Sequence, residues 1–533
     1  GMSGTNIDTL RGCRYIAALE LAQEPRVRRY LRNSYRNHAK LTTRPTKKKG
    51  MEEIDAFHEF FGLHLIHNKP IKDHFPLDQS ELDDKKRDRG PEECREIDAE
   101  MKEREKDSCL QYLNIFKGEK TGHIAVSIHL PFIEDYSDEW YKADENFSDR
   151  QKQDLTPLLK DLQKAYLPLE EDSPDWNEER NKVLHQALLS FLLPQFEAET
   201  RKELEEAAFR IGVTAAAENL RAMAMEGSYR PHSLYSENRY LVPTGDLRMV
   251  AVSCSTDPKD PTYMVSVTEH GEMADHLAIP GGVRIEVGKM RNKIINFLLL
   301  SRPSAVLVGT SGGFQARRLC RRLNEIIAEA VERWARRDIQ REDEDEEDFQ
   351  SRQMTFDKFL PSNMPGMDDE DDEDIDWKCN ADLIDDSVSQ VFGHSPRGKK
   401  EFPDHAPALR IAISAARYAK DPLAELAYSW NVASDTGLFG TELLYINIHP
   451  MQQLLKRFKG PLLLRHYERT LCDVVADVGA DVNKCCEYNH LQGLLTFVSG
   501  LGPRKAAYLK QRIEQLGSLV PSRRSLLENR FMG

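Results

Sequence analysis

Gly500-Leu501-Gly502, followed at once by Pro503-Arg504-Lys505, brings together residue types suited to holding an anion. Glycine reaches positive φ without steric penalty and leaves the backbone amides bare. Pro503 fits the first turn of a helix, where its missing N–H removes no bond. The open amides of such a turn, with a helix dipole behind them, suit a phosphate. Arg504 and Lys505 add positive charge at the same spot. The apolar run Leu494-Leu495-Thr496-Phe497-Val498-Ser499 comes before the turn, and a helical pattern from Pro503 to Leu516 follows it. Short helix, tight turn and second helix make the helix-hairpin-helix pattern, which grips a nucleic-acid backbone without reading bases. The same residues also suit a plain αα-hairpin with a glycine cap and no ligand. The candidate nucleic-acid-binding residues are Gly500, Gly502, Arg504 and Lys505.

A second kind of chemistry would need carboxylates. From Arg248 the patterns give strands at Met249–Val252, Tyr263–Thr268 and Asp275–Ile279, then a helix over about 288–300. A strand at Ala305–Val308, a long basic helix from Phe314, an acidic insertion, a short strand near Leu383-Ile384 and a helix from Pro407 through Trp430 complete the series. This order predicts a mixed sheet flanked by helices, the ribonuclease-H-like architecture. Nucleases built that way use two divalent metals, held by hard carboxylate oxygens on the first strand, after the fourth and near the last helix. Here the first strand has no acid before Asp257 in the following turn, and the fourth strand is followed by Gly309-Thr310-Ser311. Asp385 and Asp386 alone make a weak metal cage. The expectation is a retained fold with lost catalysis: no catalytic residue, no metal and no cofactor. The rival reading has Asp257 swing in as a substitute ligand.

Other candidates are weaker. Gly309 to Gly313 lacks the Gly-Lys-Ser/Thr of a phosphate loop and reads as a strand-to-helix turn. Arg317, Arg318, Arg321 and Arg322 form a basic stripe, suited to nucleic acid or a protein partner, or to a solvated face paired with the acidic insertion. His64 and His67 have no further ligands at metal spacing. Cys254 and Cys320 lie in apolar contexts and read as core.

Positioning these residues takes several domains. A chain of 533 residues implies roughly three or four. Nine scattered cysteines, with no Cys-x-x-Cys pair, indicate free thiols in a reducing compartment. No apolar run approaches a membrane span, no secretory signal is visible, and Gly1-Met2 suggests an excised fragment. The net charge of −14 is unevenly placed: residues 342–376 hold 16 acids against Arg352 and Lys358, leaving 72 residues of each sign elsewhere. Such blocks repel themselves. They read as a solvated insertion, or else as a dock for a Lys-rich partner such as a histone tail.

Upstream, residues 5–40 carry helical spacing, Thr43–Gly50 reads as a basic turn, and Met51–Phe61 resumes a helical pattern. Residues 78–107 are almost all charged, an exposed helix or a link. Ile124, Val126, Ile128 and Leu130 alternate as a strand that stops at Pro131. Residues 134–149 read as a loop, and Trp176 to about Met225 as a long helix that Pro194 should kink or divide. The division is a helical region over 1–117, a strand-containing and long-helix region over 118–246, the mixed-sheet domain over 247–430, and a helical hairpin region over 437–533.

The stretch Leu409-Arg410-Ile411-Ala412-Ile413-Ser414-Ala415-Ala416-Arg417, then Asp421-Pro422-Leu423-Ala424-Glu425-Leu426, resembles the Tex-like family of transcription accessory proteins. So does Ala476-Asp477-Val478-Gly479-Ala480-Asp481-Val482-Asn483, running on to Val498-Ser499-Gly500-Leu501-Gly502. Glu24-Pro25-Arg26-Val27-Arg28, Pro45-Thr46-Lys47-Lys48, Glu53-Ile54-Asp55 and His129-Leu130-Pro131 resemble its eukaryotic branch. The resemblance covers nearly the whole chain and is strongest over 405–517. It implies that residues 247–430 are a YqgF domain with a helix-hairpin-helix module behind it. It further implies a non-enzymatic, nuclear elongation factor and histone chaperone. The implied partners are the RNA polymerase II elongation complex, histones or nucleosomes, other elongation factors, and DNA or RNA through the hairpin, with no membrane. Such hairpins come in pairs, and Ser522 to Met532 reads as the opening of a truncated second copy.

Overall fold

The computed structural model describes residues 4–74, 91–132, 153–167, 174–230, 248–281, 285, 288–336, 377–430, 442–515, 517 and 519–524. The stretches read as a loop at 134–149, as an acidic insertion at 342–376 and, for the most part, as the opening of a second hairpin at 522–532 lie outside them. The chain divides into two compact units, residues 1–215 with 453–459 and residues 216–452 with 460–533.

In the first unit the helical pattern of residues 5–40 is two helices, α1 (Gly4–Gln23) and α2 (Pro25–His38). Pro25 divides them, since it lacks an N–H to continue α1 and suits the first turn of α2. The basic turn read at Thr43–Gly50 is instead partly strand. β1 (Lys40–Pro45) pairs antiparallel with β2 (Lys69–Pro70) and with β3 (Ile124–His129), Lys40 opposite His129. Leu41, Thr42 and Thr43 are buried there, and the cluster of lysines after them hid the β-branched run. The helix read at Met51–Phe61 is a single turn, Gly50–Glu53. The described part of the charged stretch lies in α3 (Pro91–Thr121). Then come α4 (Thr156–Tyr166), α5 (Pro174–Gln186), a π-helical turn at Ala187–Leu192 and α6 (Leu193–Met225). The wide turn sits where Pro194 withdraws a backbone donor. Arg28 and Arg32 of α2 bind Glu199 at 3.6 and 2.8 Å, and Arg36 binds Glu203, which fastens α2 to α6.

The second unit contains a five-stranded sheet in the order β6-β5-β4-β7-β8. Its strands are β4 (Met249–Ser253), β5 (Thr262–Val267), β6 (Met273–Ile279), β7 (Ala305–Gly309) and β8 (Asn380–Ile384). The first three form an antiparallel meander, whereas β7 runs parallel to β4 and β8 parallel to β7. β4 and β7 are buried at every residue, as central strands covered on both faces must be. On one face Val250, Val252, Val306 and Val308 pack against α7 (Lys289–Ser301) and α8 (Phe314–Ala335). After β8 come α9 (Ser387–His394) and α10 (Pro396–Glu401), neither of which the sequence pattern had suggested. On the other sheet face Ala251, Val265 and Val267 meet Leu409, Ala412, Ile413 and Ala416 of α11 (Pro407–Lys420). The helix read through to Trp430 breaks at Asp421-Pro422. Asp421 caps α12 (Pro422–Tyr428) by accepting the Ala424 amide at 2.9 Å.

β8 is an edge strand, and Asn324 of α8 covers part of its open side. The Ala381 amide donates to Asn324 Oδ1 at 2.8 Å, and Asn324 Nδ2 donates to the Ala381 carbonyl at 3.1 Å. A side-chain amide thereby supplies the donor and acceptor of a further strand.

Further α-helices among the described residues are α13 (Gln452–Val478), α14 (Val482–Glu487) and α15 (Gly502–Gln515). Among the described residues no helix is long and apolar enough to cross a membrane.

Candidate nucleic-acid interface

The hairpin turn has the geometry its glycines allow. Gly500 and Gly502 hold φ of 89° and 62°, values that favour glycine. The Leu501 amide closes the turn on the Val498 carbonyl at 3.0 Å. The segment before it, read as a short helix, is a 3-10 helix at Leu491–Phe497. Behind the turn stands α15, whose first amides have no acceptor within the helix. Arg504 and Lys505 are both exposed on its first turn. The four candidate residues therefore share one surface. Lys505 has a second task there, since its Nζ donates to the Gly500 carbonyl at 3.1 Å and braces the turn.

A buried scaffold positions this turn. Cys486, Leu509, Ile513 and Val520 form a small core, joined by Val482 and Leu501. Asp481 caps α14 by accepting the Asn483 and Lys484 amides. The Asn483 side chain binds the Val520 backbone in both directions, at 3.1 and 2.8 Å. Phe497 sets its ring edge-on to Trp430, 5.7 Å between centroids. A Cβ on Gly493 would lie 2.9 Å from the Ala427 backbone, so only glycine lets the 3-10 segment sit this close to α12.

Beneath that contact lies an ion network. Arg417 and Glu425 are 2% and 1% exposed. Arg417 binds Glu401 at 2.9 Å and donates to the Gly271 carbonyl at 2.8 Å. Glu425 accepts from the Ser414 hydroxyl at 2.6 Å. Tyr428 donates to Glu401 at 2.9 Å, under the guanidinium of Arg397. Burial pushes the Glu425 carboxyl up, against the pull of Arg417 and Arg397. Burial, then the charge of Arg417, pushes His490 down to about 3. The network was legible only as charges set in an apolar run, Arg417 and Glu425 among alanines and leucines.

At the carboxyl ends of β4 and β7 the carboxylates are dispersed. Asp257 is exposed and accepts the Lys259 amide at 2.9 Å within its own turn. Asp385 accepts from the Ser387 amide and hydroxyl at 3.0 and 3.1 Å. Asp386 alone is buried. It receives the Ser311 amide at 2.9 Å, the Ser311 hydroxyl at 2.6 Å and Gln390 Nε2 at 2.8 Å. Its donors are neutral, and they pin the Thr310–Gly312 turn to α9. Burial, then the charge of Asp386, raises the neighbouring Cys254 thiol to about 11, so it is a protonated thiol at neutral pH. No three His, Cys, Asp or Glu among the described residues are placed to hold a metal ion. The locking role of Asp386 had no signature in the sequence beyond its place after a strand.

Residues 441–533 match the helix-hairpin-helix motif family. Along 97% of its length the chain is 25% identical to the Suppressor of Ty 6 homolog of Caenorhabditis elegans, covering 28% of that protein. It is 25% identical to the transcription elongation factor SPT6 homolog of Arabidopsis thaliana, over 97% of the chain and 26% of that protein. Identity to the transcription elongation factor SPT6 of Drosophila melanogaster is 22%, over 98% of the chain and 24% of that protein. The chain thus spans about a quarter of the length of these curated relatives.

Proposed function

We propose that the chain, similar along 97% of its length to SPT6 transcription elongation factors and matching the helix-hairpin-helix family at its end, is the central scaffold of such a factor. It is a non-enzymatic elongation factor and histone chaperone core that works in the nucleus. It engages the RNA polymerase II elongation complex, histones or nucleosomes and other elongation factors, and its hairpin holds DNA or RNA by the backbone. The observation that carries this reading is a likeness along 97% of the chain, joined to a positive-φ turn with Arg504 and Lys505 exposed beside it.

Residues 247–430 are in this reading the ribonuclease-H-like, YqgF domain, with its acidic insertion at 342–376. Residues 437–533 are the hairpin region, and 1–117 and 118–246 are the helical and strand-containing regions before them. The sheet order β6-β5-β4-β7-β8, with the first three strands antiparallel and the last two parallel to β4, supports the ribonuclease-H-like reading. Loss of catalysis is supported by β4, which carries no acid, and by Asp386, whose oxygens are engaged by Ser311 and Gln390. Two-metal cleavage needs carboxylates that converge on the ions.

Retention of purified polymerase II, histones and duplex DNA on the immobilised chain, at two salt concentrations, tests the proposal. Polymerase and histones are expected to be retained at low salt, and duplex DNA to be released at high salt. A chain that retains neither polymerase nor histones sinks it. Arg504→Glu with Lys505→Glu is expected to weaken DNA binding, and unchanged affinity would make the turn purely structural. Manganese-dependent cleavage of DNA or RNA, abolished by Asp257→Asn or Asp386→Asn, would restore the nuclease reading.

A further inference from the structure

The solvent face of α8 is divided by charge. Its second half is balanced: Arg333 pairs with Glu329, Arg336 with Glu332, and Glu329 also takes Arg291 from α7. Its first half carries Arg317, Arg318 and Arg321, all exposed, and none pairs with a described residue. At helical spacing these three lie on one face with Phe314, whose side chain is 72% exposed. The opposite face, with Ala316, Leu323, Ile326 and Ile327, is buried against the sheet.

That arrangement opposes folding. Three like charges at neighbouring positions repel one another. Arg317 and Arg318 also lie at the edge of the first turn, close to the positive end of the helix dipole, where anions are favoured and cations are not. A large aromatic ring left in water adds nothing to the core. Several local rules broken together at one surface point to a use other than stability. Four carboxylates share this end of the sheet, and none is spent on the arginines. Asp257 and Asp385 bind within their own turns, Asp260 accepts from Ser255, and Asp386 is held by Ser311 and Gln390.

We infer that Phe314, Arg317, Arg318 and Arg321 form a second binding surface, separate from the hairpin, for single-stranded nucleic acid. The arginines neutralise backbone phosphates and the ring stacks an unpaired base. A duplex offers the phosphates but keeps its bases stacked, and an acidic peptide offers charge without a base. The ring therefore favours the single strand over both.

Fluorescence anisotropy of the full chain with a short labelled oligouridine tests this. The triple variant Arg317→Glu, Arg318→Glu, Arg321→Glu is expected to bind about tenfold more weakly or worse. The slope of log affinity against log salt should fall by about two, at roughly 0.7 per phosphate contact. Phe314→Ala should weaken oligouridine about fivefold or more and leave duplex affinity unchanged. Both losses should persist when Arg504→Glu and Lys505→Glu are already present, which separates this surface from the hairpin. Unchanged oligouridine affinity in the triple variant overturns the inference. So does a polyglutamate peptide that binds more tightly than oligouridine and is insensitive to Phe314→Ala. Glutamates near a helix N-terminus are favourable, so the triple variant should melt no lower than the parent. If it does, the Arg→Gln set replaces it.

Discussion

Asn324 does for the open edge of the sheet what a sixth strand would do. Replacing it with alanine strands the amide of Ala381, a residue that is 3% exposed, and leaves its carbonyl only the weak Cys320 thiol donor at 3.2 Å. Each unsatisfied buried group costs about 1–3 kcal/mol. Asn324→Ala should therefore lower the melting temperature by several degrees, whereas an exposed alanine at the adjacent Glu325 should not. His490 gives a pH signature. Its folded value of about 3 lies below the ordinary value near 6.5. The unfolded chain thus takes up the proton first, and stability falls as pH drops from about 6.5 toward 3, on the order of 1 kcal/mol per unit. Glu425, raised by burial, acts in the opposite sense, losing stability as pH rises above its ordinary range. Acid unfolding of His490→Gln should be flatter between pH 6.5 and 4.5 than that of the parent; an identical profile would assign the acid sensitivity elsewhere. At this scale the sequence was legible where a residue type has few uses. Gly500 and Gly502 announced a turn, and the buried, acid-free run Met249–Ser253 announced a central strand. Asn324, Asp386 and His490 were opaque, because their partners lie far away in sequence and only the fold brings them together.

Elements were readable where one period dominated. β4 and β7 stood out as short apolar runs, and α8 showed a continuous helical stripe. Reading failed where lysines masked β1, where Pro25 and Pro422 divided single patterns into pairs, and where α9 and α10 were too short to build a period. The stretch Leu409–Leu426, within the region 405–517 of strongest resemblance, folds as α11 and α12. Eleven residues of α11 are buried, so its sequence is constrained by the sheet on one side and the ion network on the other. Ile413→Ala should cost about 2–5 kcal/mol, read as a fall in melting temperature. The hairpin turn should respond through its backbone alone. A Cβ at Gly500 or Gly502 meets nothing within 4 Å, so the cost of alanine there is the left-handed conformation itself, about 1–2 kcal/mol. Gly500→Asn should be milder than Gly500→Ala when both are compared by thermal melting, because asparagine tolerates that region better.

For the whole molecule, charge and chain order matter more than any contact. The net charge of −14 belongs entirely to residues 342–376. Deleting them leaves a formally neutral chain, which should keep its melting temperature and associate faster with polyanions at low salt. A large fall in melting temperature would show that the segment contributes to the core. The parallel pairing of β7 with β8 adds a consequence in time. β7 is complete at Gly309, yet its partner begins only at Asn380. A ribosome adding about 5–20 residues per second leaves that apolar edge uncovered for roughly 4–14 s. The acids lie in the stretch synthesised during that wait, where a strongly charged tract keeps an unfinished chain dispersed. Cell-free synthesis of the deletion variant should therefore yield more aggregated nascent protein than the parent, while the molecules that finish folding melt alike. The tract's service would then be to the polypeptide still being made, before any partner is met.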